Sequence, residues 1–81
     1  MTNDIENNNK PKIDETRWHD ANTINIEASL KQELRVIKWS DKEVQISITN
    51  SFKERVAFCA NNQQDKEALK AFAIEILKQL D

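Results

Sequence analysis

His19 is the only histidine of the chain, and it stands between Trp18 and Asp20. An imidazole beside a carboxylate is a pairing that general-base catalysis and metal binding draw on. Cys59 is the only thiol. A histidine can activate a thiolate for nucleophilic attack, which makes Cys59 and His19 one conceivable dyad. Asp14, Glu15, His19 and Asp20 offer oxygen and nitrogen ligands within seven residues. They match no loop of known coordination spacing, and the glycine that a calcium loop needs is absent. His19 also falls in a segment with few core-forming residues, where a site is hard to hold in catalytic geometry. A cysteine on a strand is more often a small apolar filler than a nucleophile. The expectation is no enzyme: no catalytic residue, no cofactor and no metal site.

Composition narrows the classes further. The 81 residues contain no glycine, one proline and one cysteine. Without glycine there is neither a P-loop nor a dinucleotide fingerprint, because both need backbone N–H groups brought close to an anion. One cysteine closes no intrachain disulfide and builds no zinc site with a second thiolate, so a reducing compartment is expected. The apolar runs are only a few residues long, as in Ala71-Phe72-Ala73-Ile74, and the N-terminus lacks the basic start and apolar stretch of a secretion signal. The expected setting is cytoplasmic, with no membrane partner.

The net charge is -2. Residues 1–22 carry all of it: Asp4, Glu6, Asp14, Glu15 and Asp20 against Lys10, Lys12 and Arg17. Residues 23–81 are neutral, with nine charges of each sign. A neutral body makes nucleic acid an unlikely partner, since duplex binding draws on a basic face. Lys31, Arg35, Lys38, Lys42, Lys53 and Arg55 still outnumber Glu33, Asp41, Glu43 and Glu54 by two. With Trp39 nearby, the Lys31–Arg55 region is the alternative reading, a regulator that binds RNA or single-stranded DNA.

The elements that must position these residues follow from periodicity. Residues 1–12 are polar, with Asn7-Asn8-Asn9 and Lys10-Pro11-Lys12, and read as a flexible, disordered tail. Residues 13–81 read as one small domain, of which 13–22 are transitional. Ile24, Ile26, Ala28 and Leu30 alternate with polar residues, as do Val44, Ile46 and Ile48, and Val56, Phe58 and Ala60 alternate with Arg55, Ala57 and Cys59. Period two marks strands with one buried face. Residues 30–38 admit two readings. Leu30, Leu34 and Ile37 have helical spacing behind a capping box at Ser29, whereas Val36, Ile37 and Trp39 favour a strand, which is preferred. Leu69, Phe72, Ala73, Ile76, Leu77 and Leu80 form one helical stripe, capped by Asn62 or Asp65.

The expected fold is α+β: a four-stranded antiparallel β-meander with one C-terminal α-helix packed on one face (ββββα). About ten strand and six helix side chains would form the core, with Asn50, Asn61 and Asn62 expected at left-handed turn positions. The sheet face that the helix leaves open would carry Arg35, Ile37, Trp39, Arg55, Ala57 and Cys59. Trp18 and Ile13 either fold back over that face or leave it free for a partner. Exposed apolar surface with Trp and Arg marks an interaction site. The expected function is a small protein-binding module, an inhibitor or regulator acting through an open sheet face or an edge strand. Homodimer formation is compatible with it. In size, acidity and Asn-rich start the chain is similar to regulators that phages and mobile elements encode.

Overall fold

The computed structural model describes residues 10–81. The expected tail therefore lies mostly outside the described residues. Five strands run in sequence order: β1 (Lys12–Trp18), β2 (Ala21–Glu27), β3 (Glu33–Trp39), β4 (Glu43–Thr49) and β5 (Arg55–Ala60). They form one antiparallel open sheet in the order β1-β2-β3-β4-β5. A single 3-10 turn, Ser29–Lys31, joins β2 to β3, and one helix, α1 (Gln63–Leu80), follows β5.

Five strands replace the four expected. Residues 12–18 are not a transitional segment but a full edge strand, paired with β2 from Lys12↔Glu27 to Trp18↔Ala21. The second strand is shorter than its alternation implied. It ends at Glu27, the chain turns through Ser29–Lys31, and Leu30 is exposed with φ 57°. Residues 33–39 are the preferred strand, and the helical spacing of Leu30, Leu34 and Ile37 amounts only to the short turn before it.

The register sorts the side chains into two faces, because neighbours along a strand point to opposite sides. On one face, Ile13, Ile26, Leu34, Ile48 and Val56 form an unbroken row across all five strands. Ile24, Val36, Ile46 and Phe58 form a second row beside it, which meets Glu15 on β1. This is the apolar face. The other face carries the polar alternates and is taken up below.

No turn uses glycine. The left-handed backbone positions are His19, Leu30, Lys31, Ser40 and Lys53, and not Asn50, Asn61 or Asn62. Asn50 instead accepts the backbone N–H groups of Phe52 at 2.9 Å and Glu54 at 3.0 Å through its side-chain oxygen. Asn62 caps α1, its Oδ1 accepting from the Asp65 N–H at 2.8 Å. An asparagine whose side chain imitates a turn carbonyl belongs at the start of the turn, which leaves the left-handed place to a later residue.

The helix starts against the apolar face at its β4–β5 side. Ala68, Leu69 and Phe72 stand opposite Ile46, Ile48 and Phe58 across an apolar wedge of about 340 Å³. Only the start of α1 gains shelter there. Leu69 is half-buried, and every residue from Lys70 to Leu80 is exposed. The sixteen-residue core expected from the pattern is absent. Among the described residues only Ala60 and Ser47 are buried. The geometric reason is width: a helix is ~10 Å across with its side chains, whereas five strands at ~4.8 Å spacing span about 24 Å.

Candidate functional site

The polar face is built from four cross-strand rows. Trp18, Ala21, Trp39 and Glu43 form the first. Thr16, Thr23, Ile37, Gln45 and Cys59 form the second, and Asp14, Asn25, Arg35, Ser47 and Ala57 the third. Lys12, Glu27, Glu33, Thr49 and Arg55 form the fourth. All seven residues expected at a partner site, Trp18, Arg35, Ile37, Trp39, Arg55, Ala57 and Cys59, therefore lie on one face.

They divide into two groups. Trp18 and Trp39 flank Ala21, two strand spacings or ~10 Å apart, and Ala21 has no side chain beyond Cβ to fill the row between them. Trp18 is 71% exposed and Trp39 43%. The Trp18 ring meets His19 edge-on, with ring centres 4.6 Å apart. The Trp39 Nε1–H points at the Gln45 Oε1, 3.4 Å away, a long bond that leans the indole toward the row of Ile37 and Cys59. Ile37 completes this apolar end from the adjacent row. Arg55, Ala57 and Cys59 stand apart on the exposed edge strand β5, with Gln45 and Ser47 between them and β3.

Arg35 connects the groups and is held in place. Its Nε donates to the Asn25 Oδ1 at 2.6 Å, and its Nη2 to the Glu33 Oε1 at 3.1 Å. Both members of that ion pair are more than two-thirds buried, so the guanidinium is fixed in direction. Arg55, by contrast, is exposed and donates from Nε to the Thr49 Oγ1 at 3.3 Å. The face carries Lys12, Arg35 and Arg55 against Asp14, Glu27, Glu33 and Glu43, so it has no basic excess.

The segment before the second strand does not fold over this face. Trp18 lies beside Ala21 as part of the sheet, and Ile13 points to the opposite, apolar face opposite Ile26. The structure also keeps the chemical candidates apart. His19 sits in the β1–β2 turn and Cys59 on β5, at opposite edges of the sheet and about 19 Å apart on strand spacing alone. Asp14 and Glu15 point to opposite faces. Among the described residues no three His, Cys, Asp or Glu side chains converge on a metal position.

One polar feature was not legible in the sequence. Arg17, His19, Asp20, Asn22, Lys38 and Asp41 line a notch of about 300 Å³ at the turn end of the sheet. The Asn22 Oδ1 is buried there without a hydrogen-bond partner. Only the register, which brings Arg17, Asn22 and Lys38 into one row, assembles it. A second feature, the bare apolar face, was assigned to the core by pattern alone. The signal that could have found it was the width comparison above.

Comparison with family models, with curated proteins and with solved structures returns no significant match. What the chain shows of itself is a small α+β domain with an antiparallel sheet, and no helix among the described residues is long and apolar enough to cross a membrane.

Proposed function

We propose that the chain is a non-enzymatic protein-binding module of the regulator or inhibitor kind, whose polar sheet face docks the partner. The observation that carries this reading is the Trp18–Ala21–Trp39 row, with Ile37 beside it and the clamped Arg35 one row further in. Two accessible tryptophans, 71% and 43% exposed, offer the open share of the ~150–250 Å² that a whole aromatic side chain can bury, at little cost in side-chain freedom. A small residue between them leaves room for an apolar side chain of the partner. An arginine already fixed by Asn25 and Glu33 loses little freedom when it donates to a partner's carbonyl or carboxylate.

The nucleic-acid alternative through Lys31–Arg55 draws less support. On this face three cations meet four carboxylates, and a polyanion gains little where its counterions find no basic surface to replace them. Lys38 points to the other face, and Lys31, Lys42 and Lys53 lie in turns.

The test is capture of a partner from the native host by the full chain, beside Trp39→Ala and Arg35→Ala. The expected result is one partner retained by the wild type and lost with Trp39→Ala, with unchanged far-UV circular dichroism. A captured protein that both variants hold as well as wild type would refute this face. Binding of RNA or single-stranded DNA that weakens steeply with salt would favour the alternative.

A further inference from the structure

We infer that a second copy of this chain covers the apolar face, the helix α1 of each copy lying across the open part of the other's sheet. This goes beyond the partner-docking reading and rests on the opposite face. Within one chain, the start of the helix stands over Ile46, Ile48 and Phe58 yet leaves the face open on both sides, with Ile13 60%, Leu34 44%, Ile48 44% and Val56 73% exposed. The same helix carries Phe72, Leu77 and Leu80 exposed on its own stripe. Two uncovered apolar surfaces thus exist on one chain, one a sheet and one a helix.

They match in size. A helix of 18 residues is ~27 Å long at 1.5 Å per residue. That matches the ~23 Å length of a seven-residue strand, along which it would lie. A helix of one copy beside the helix of the other makes two ~10 Å widths, about 20 Å of the sheet's ~24 Å, where one helix covers less than half. The exchange is self-complementary: helix to sheet in one direction implies sheet to helix in the other, which closes a two-fold dimer. The area is also sufficient. The exposed parts of the apolar face and the helix stripe come to about 500 Å² per copy, at roughly 60–120 Å² of apolar surface for each whole side chain. A standard interface takes ~800 Å² per partner, of which ~65% is apolar in homodimers. Neutral charge over residues 23–81 offers little repulsion between copies.

The experiment is sedimentation equilibrium of the full chain over a concentration series, with thermal unfolding at each concentration. The wild type is expected at about twice its 9.4 kDa, with an unfolding midpoint that rises with concentration. Leu77→Asp on the helix and Val56→Asp on the sheet replace residues that are 67% and 73% exposed in one chain. Each should weaken association at least about 10-fold, read as a shift in the dissociation constant or, where the monomer does not persist, as unfolding at low concentration. Ile74→Asp, on the helix but off the stripe, should leave association unchanged. Trp39→Ala should leave it unchanged as well, which keeps this result separate from that of the polar face. A wild type that remains monomeric with a concentration-independent midpoint overturns the inference. So does a dimer indifferent to both Leu77→Asp and Val56→Asp, or an open-ended series of larger assemblies.

Discussion

Lys53 is the sharpest place to perturb the fold. It closes the β4–β5 connection with φ 67°, its N–H donating to the Asn50 carbonyl at 3.0 Å, while the Asn50 N–H donates to the Glu54 carbonyl at 2.9 Å. This is a tight turn followed by a left-handed residue, a place where glycine is ordinarily chosen. A residue with a Cβ spends ~1–2 kcal/mol in that conformation. Glycine removes this cost but gives back ~0.5–1 kcal/mol through its greater freedom in the unfolded chain. Lys53→Gly should therefore stabilise the protein by about 0.5–1 kcal/mol, a rise in Tm of roughly 2–8 °C for a domain of this length. Ser51→Gly, in the same turn but outside the left-handed region, should lower stability by ~0.5–1 kcal/mol. Lys53→Ala keeps the Cβ and should stay near wild type, because the Lys53 side chain is exposed and makes none of the turn's hydrogen bonds. The assay is thermal unfolding by far-UV circular dichroism at one fixed protein concentration. Lys53→Gly no more stable than Ser51→Gly would refute the assignment of backbone strain to this residue.

Other substitutions test neighbouring parts of the structure. Asn62→Ala removes the cap bond to the Asp65 N–H and should cost ~1 kcal/mol, whereas Asn61→Ala should cost far less; paired urea titrations compare them. Asn50→Ala removes two backbone bonds accepted by its side chain and should cost ~1–2 kcal/mol, read as a lower urea midpoint at unchanged slope. Trp18→Phe should remove the larger share of the acrylamide-accessible tryptophan fluorescence and leave stability within ~0.5 kcal/mol of wild type, because Trp18 is the more exposed indole; quenching that is unchanged would show that Trp39 is the open one.

How much of this was readable follows from what periodicity encodes. Alternation in Val44, Ile46 and Ile48 and in Val56 and Phe58 states which side of a strand avoids water, and the register bears those sides out. It places Ile37 and Trp39 together on the opposite face for the same reason. It says nothing about β1. There the only apolar residues, Ile13 and Trp18, fall on opposite faces, so no alternation is visible in Lys-Ile-Asp-Glu-Thr-Arg-Trp. The strand is held by pairing with β2 along its whole length, and its charges suit an edge that must not recruit further strands. The polar notch around Asn22 needs three strands in register, which no single segment displays. Sidedness also does not say what excludes the water. A pattern of buried alternates is equally satisfied by a helix of the same chain and by a helix of another, and the decision between them is one of widths. One helix spans about two of the five strands here, which leaves apolar alternates open among the described residues, Ile13 at 60% and Leu34 at 44% exposed. The stripe on α1 makes the same demand from the other side: six apolar positions at helical spacing imply a sheet to lie on, yet the chain's own sheet meets only the first turns. Each half of the pattern lacks what the other supplies.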